Sequence, residues 1–114
     1  MTDTASALRQ VTAWFDTVGT AGLQLPNGWF GRPYDNRHEL TWSQARPHKL
    51  LLELDAQLLL VLADPGEPTT EGRDLIVPFG QLVFDWQGYG DLQNHADLFR
   101  RSSLTFVDLR LPAD

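Results

Sequence analysis

Residues 37–62 read RHELTWSQARPHKLLLELDAQLLLVL, and the periodicity of this stretch decides the fold class. Successive side chains of a strand point to opposite faces, so His38, Leu40 and Trp42 share one face and Glu39, Thr41 and Ser43 the other. That is the pattern of a half-buried strand. Gln44 to Pro47 reads as a turn. Lys49 to Asp55 reads as the next strand, with Leu50, Leu52 and Leu54 on one face and Leu51, Glu53 and Asp55 on the other. Asp55 to Gln57 is a short connection. Leu58 to Leu62 are consecutive apolar residues, the pattern of a strand covered on both faces.

Upstream the period changes. Leu8, Val11, Phe15 and Val18 recur at helical spacing, with Trp14 widening the stripe, and predict an amphipathic helix from about Thr4 to Val18. Gly19 and Gly22 end it. Asn27-Gly28 signals a tight hairpin between Leu23–Leu25 and Trp29–Phe30. Downstream, residues 63–74 are rich in Pro, Gly, Thr and Glu and predict an exposed loop. Leu75 to Val77 predicts a short strand, with Pro78 marking an edge or a bend. Gln81 to Trp86 alternates as a strand again, and residues 88–91 read as a turn. Asn94 and Asp97 suit the start of a short helix over residues 94–101, and Leu104 to Leu111 reads as a closing strand.

The order is one helix followed by about six strands, without the alternation of βαβ units. The expected fold is therefore a single α+β domain over residues 1–114: an N-terminal amphipathic helix packed on a curved, mostly antiparallel sheet. One helix covers one sheet face only. The Leu51 side of its strand and the apolar Leu58–Leu62 strand need further cover, supplied by curling into a barrel or by a second copy of the chain.

Composition excludes several function classes. The chain has no Cys, so it has neither disulfides nor thiolate chemistry, which suits a cytoplasmic protein. No leader peptide is expected, and no apolar run is long enough to cross a membrane. Net charge is −6 and the cations are scattered, which disfavours nucleic acid and anionic membranes as partners. Eight of the nine cations are Arg, as expected of a protein from a GC-rich bacterial genome.

No catalytic or cofactor motif is present. His38, His48 and His95 form no metal-ligand array; His38 and His48 fall roughly 16 Å apart along the predicted hairpin. No Gly-x-Ser-x-Gly elbow surrounds Ser43, Ser102 or Ser103. No Walker loop or dinucleotide fingerprint occurs, so neither a metal nor a cofactor is expected.

One feature stands above background. Trp29, Phe30 and Tyr34 surround Gly31-Arg32-Pro33, and Trp86 and Tyr89 flank Gly88. Aromatics in glycine-punctuated loops either plug the ends of a core or form a contact surface. Trp29, Arg32, Tyr34, Asp35, Trp86 and Tyr89 are thus the candidate ligand- or partner-binding residues. The leading expectation is a non-catalytic binding or protein-interaction domain, homodimeric or bound to another protein or a small ligand. One alternative is a small enzyme with a pocket between loops 29–35 and 86–91, using Arg32, Asp35, His38 and Tyr89. Another is an acidic inhibitor or immunity-type protein covering a basic enzyme.

Overall fold

Ala7, Val11, Phe15 and Val18 are the buried residues of helix α1, which spans Thr4–Val18. Their spacing of three to four residues is one helical face. The face is centred slightly nearer Ala7 than the sequence suggests, and Leu8 packs against the core from its flank. Gly19 closes the helix at φ 79°, with its N–H donating to the Phe15 carbonyl at 2.7 Å.

The computed structural model describes residues 4–26, 28–29, 37–86 and 95–109, with backbone alone at 28–29, 84–86 and 95–98. Among the described residues, eight strands follow the helix: β1 (Thr20–Leu25), β2 (Gly28–Trp29), β3 (His38–Arg46), β4 (Lys49–Leu54), β5 (Leu58–Ala63), β6 (Thr69–Glu71), β7 (Asp74–Trp86) and β8 (His95–Asp108). Every pairing among them is antiparallel. The order β1-β3-β4-β5-β7-β8 returns to β1, because β8 pairs both β7 and β1. Six strands therefore form a closed circuit, and β2 and β6 are short additions to it. Closure is how this sheet covers the apolar surface that a single helix leaves open.

The interior is aliphatic. Leu50, Leu52 and Leu54 of β4 face Leu58, Leu60 and Leu62 of β5, all at most 2 % exposed. Leu23, Val77, Leu82, Leu104 and Phe106 complete the packing. Phe15 of the helix meets Phe106 edge-on at 4.9 Å between ring centres. The helix is tied at both ends: the Thr4 hydroxyl donates to the Arg46 carbonyl at 2.9 Å, and Trp14 Nε1 to the Arg73 carbonyl at 3.2 Å. It thus runs from the β3–β4 turn to the β6–β7 turn.

Several local expectations are corrected. The predicted turn at Gln44–Pro47 is strand as far as Arg46; the reversal is Pro47–His48, with His48 at φ 63°. Trp42 does not share a face with His38 and Leu40, because the β3–β4 register shifts between Leu40 and Trp42 and turns the remainder of β3 over. Ser43 and Ala45 then take the inward positions, opposite Leu52 and Leu50. Their small side chains leave room beneath the helix.

The predicted loop at 63–74 contains β6, and Pro65 and Pro68 are buried. Pro78 marks an edge, as expected, but within one long strand rather than beside a short one. It lies opposite Ser103 within β7, whose pairing with β5 begins only at Gln81, so no β5 partner needs the missing N–H. The expected helix at 94–101 is strand from His95 onward, paired with β7 from Trp86 to Leu75, and Asn94 lies outside the described residues. Non-local pairing overrides a weak capping signal.

Truncating Phe106 to Ala should cost about 3–5 kcal/mol, since the ring is fully buried between β1, β7 and the helix. Denaturant melts measure this, and a loss below about 1 kcal/mol would contradict the described core.

Candidate functional site

Three polar or strained groupings occur on the described part of the barrel. The first lies where β4 turns into β5. Asp55 and Ala56 both have positive φ, 57° and 56°, a conformation that costs an L-residue about 1–2 kcal/mol. Side chains and backbone of β3 hold the turn. Asp55 Oδ2 lies 2.7 Å from His38 Nδ1, and Oδ1 accepts from the Glu39 N–H at 2.9 Å. The Asp55 N–H donates to the Glu39 carbonyl at 2.9 Å, and the Ala56 N–H to Thr41 Oγ1 at 3.0 Å. Thr41 is the extra residue of the β3 irregularity, so bulge and turn lock into each other.

A carboxylate on Nδ1 of a His is also how acid–base pairs are oriented in hydrolases. Here, however, His38 is 8 % exposed and its Nε2 is closed to solvent. A general base must reach the proton it abstracts, and this nitrogen is inside the barrel end. The geometry is that of a clasp for the turn.

The second grouping flanks Ala21. Ala21 pairs with His38 on one side and Asp108 on the other, so both share its inward face. The Asp108 side chain is fully buried and lies 3.0 Å from Arg73 Nε. Its backbone N–H donates to Asp74 Oδ1 at 3.0 Å. Arg73 also carries the carbonyl that receives Trp14, so one turn fixes the end of β8 and the helix together.

The third is a crease. His48 (φ 63°), Asp64 (φ 49°), Gly80 and Arg101 (φ 50°) fall in one cross-strand row. The Asp64 N–H donates to His48 O at 2.8 Å and the Gly80 N–H to Asp64 O at 3.2 Å. Along β7 the buried positions run Leu75, Val77, Phe79 and then Leu82, so facing changes at Gly80. A Cβ at Gly80 would stand 3.2 Å from Asp64 Cβ.

Below the crease, the outer wall carries ordered rows. Arg46, Lys49, Ala63, Gln81 and Arg100 are cross-strand neighbours in the first. Gln44, Leu51, Val61 and Val83 form the second; Trp42, Glu53 and Leu59 form the third. Trp42 is 44 % exposed, the one large apolar side chain so exposed among the described residues. Leu59, Val61 and Val83 are half-buried, and Leu51 is buried but stands apart from the core cluster.

Of the sequence-predicted site residues, Arg32, Tyr34, Asp35 and Tyr89 lie outside the described residues. Trp29 and Trp86 are placed by backbone alone, Trp29 opposite Gln24 and Trp86 opposite Leu58. Sequence reading missed Trp42 as a surface residue, because strict alternation puts it inside; only the bulge turns it out. It also missed the Asp55 clasp, since Asp-Ala carries no glycine signal for a left-handed turn. Among the described residues, no group of three His, Asp or Glu side chains could hold a metal, and no helix is long and apolar enough to cross a membrane. No protein-family model, curated protein or solved structure matches the chain.

Asp55→Ala should cost about 2 kcal/mol through the lost bonds to His38 and Glu39. Ala56→Gly should instead raise stability by about 0.5–1 kcal/mol, strain relief outweighing the added chain entropy. Thermal melts of the two variants test the clasp; equal and opposite signs to these would refute it.

Proposed function

We propose that this chain is a non-catalytic binding domain whose contact surface is the outer wall of β3, β4, β5 and β7. The observation that carries the reading is Trp42, held 44 % exposed by the β3 bulge beside the half-buried Leu59 and the Leu51–Val61–Val83 row. An exposed Trp next to apolar side chains, with Arg and Lys at the rim, has the composition of a binding hot spot. Among the described residues, Leu23, Leu50, Leu52, Leu54, Leu60 and Leu62 fill the centre of the barrel with no exposed surface. The His38–Asp55 pair, the arrangement nearest to catalytic chemistry, is turned to structural use by burial of Nε2.

Trp29, Arg32, Tyr34, Asp35, Trp86 and Tyr89 belong to the same reading as a second set of partner- or ligand-contacting residues, on the strength of their aromatic, glycine-punctuated setting. A cytoplasmic setting fits the cysteine-free composition.

The test is a wall variant, Val61→Glu, compared with the wild type for every association the protein makes, with itself or with proteins of its native lysate. Val61 faces outward, so the fold should survive with a loss of about 1 kcal/mol while those associations disappear. If every association persists in a folded V61E protein, the wall is not the contact surface. If Trp42→Ala unfolds the chain rather than weakening contact, Trp42 is a structural residue.

A further inference from the structure

The order of the three rows on the outer wall singles out its occupant. The first row, Arg46, Lys49, Ala63, Gln81 and Arg100, holds three cations and no acid. The third, Trp42, Glu53 and Leu59, holds the exposed aromatic and an acid, and Asp85 continues it at the register position on β7. The apolar row Leu51, Val61 and Val83 lies midway, two residues from each. Rows two residues apart along a strand are separated by about 6.7 Å.

We infer that this wall binds a second copy of the same chain, an inference that rests on the outer wall being the contact surface. An isologous dimer places each residue pair twice, related by a two-fold axis in the interface. Let that axis run along the Leu51–Val61–Val83 row, between two walls stacked at the usual spacing of about 10 Å. Rotation about it carries the first row of one copy over the third row of the other. On β3, Arg46 then meets Trp42 of the second copy, a cation over an indole. On β4, Lys49 meets Glu53 of the second copy, opposite charges. On β5, Ala63 meets Leu59 of the second copy, small against large. Val61 and Val83, both half-buried, meet their own counterparts on the axis, with the 8 % exposed Leu51 in the same row. Three strands give a favourable opposition under one operation.

The opposite arrangement is unfavourable. A two-fold axis parallel to the strands would instead set the cation row on the cation row, Lys49 on Lys49 for an axis along β4, so the charge pattern selects the axis along the Leu51–Val61–Val83 row. The rows span four strand spacings, about 19 Å, which is small for a protein interface and implies a weak dimer dissociating in the micromolar range or above.

The experiment is sedimentation velocity of the full chain over concentrations up to about 500 μM, a range that captures weak interfaces. Wild type should show a concentration-dependent dimer. Lys49→Glu and Glu53→Lys, each folded by circular dichroism, should each weaken it by at least about tenfold, since each places two like-charge pairs in the interface. An equimolar mixture of K49E and E53K should recover association as a heterodimer, and the K49E/E53K double variant should recover it as a homodimer. Lys49 and Glu53 lie four residues apart on one strand, so recovery cannot come from contact within the chain. If E53K fails to fold, Arg46→Glu provides the same readout through Trp42, with at least about a tenfold loss expected.

A wild type monomeric throughout, a dimer indifferent to K49E and R46E, or folded single variants whose mixture does not associate would each overturn the inference. A monomeric wild type whose foreign contacts still vanish in V61E removes the second copy but leaves the binding-domain reading standing. A dimer undiminished in V61E removes both.

Discussion

Ala21 is bonded on both sides, to His38 of β3 and to Asp108 of β8, and the closed barrel depends on that double pairing. Without it the sheet would be an open ribbon with β3 and β8 as bare edges, each a template for aggregation. The residue between the two edges is small and fully buried, which lets two polar side chains, His38 and Asp108, flank it on the inward face. Each is then matched: His38 by Asp55, and Asp108 by Arg73. Burying those groups without partners would cost several kcal/mol, so the ion and hydrogen-bond partners are a condition of closure rather than an ornament to it.

The same constraint explains the irregularities. A sheet that closes over a helix must bend sharply, and regular strands resist bending. The bend is concentrated in two places. One is the β3 bulge at Thr41, locked to the left-handed turn at Asp55–Ala56. The other is the crease through His48, Asp64, Gly80 and Arg101, where facing changes along β7. Asp55, Ala56, His48 and Asp64, all at positive φ, each take part in a backbone hydrogen bond or a side-chain clasp. The bulge also has a surface consequence: it turns Trp42 out of the core and onto the wall where the binding reading is placed.

The wall and the interior divide the labour between them. Inside, aliphatic side chains pack against one helix face and leave the stability of the barrel to burial. Outside, the β4 and β5 strands retain apolar residues that the interior does not need, Leu51, Leu59 and Val61. Their charged and aromatic neighbours are arranged in rows rather than interspersed, and row order is a property of strand register. A shift of one strand by a single residue would exchange its inner and outer faces and erase the pattern.

The sequence by itself determined the elements whose signals are local. Helix α1 is legible from Leu8 to Val18 because an apolar stripe and a glycine cap are contained within it, and β4 and β5 are legible from their leucine patterns. It also determined that one helix could not cover the sheet, which posed the choice between barrel closure and a second subunit. Tertiary structure decided the rest. The pairing of β8 with β1 joins residues more than eighty positions apart, and its pairing with β7 makes strand of the expected helix at 94–101. The facing of Trp42 depends on one extra residue opposite β4, and the His38–Asp55 clasp on a left-handed turn written in Asp and Ala rather than Gly. Periodicity reports which faces of a segment are apolar. It does not report register between segments, and register is what closes this barrel and orders its outer wall.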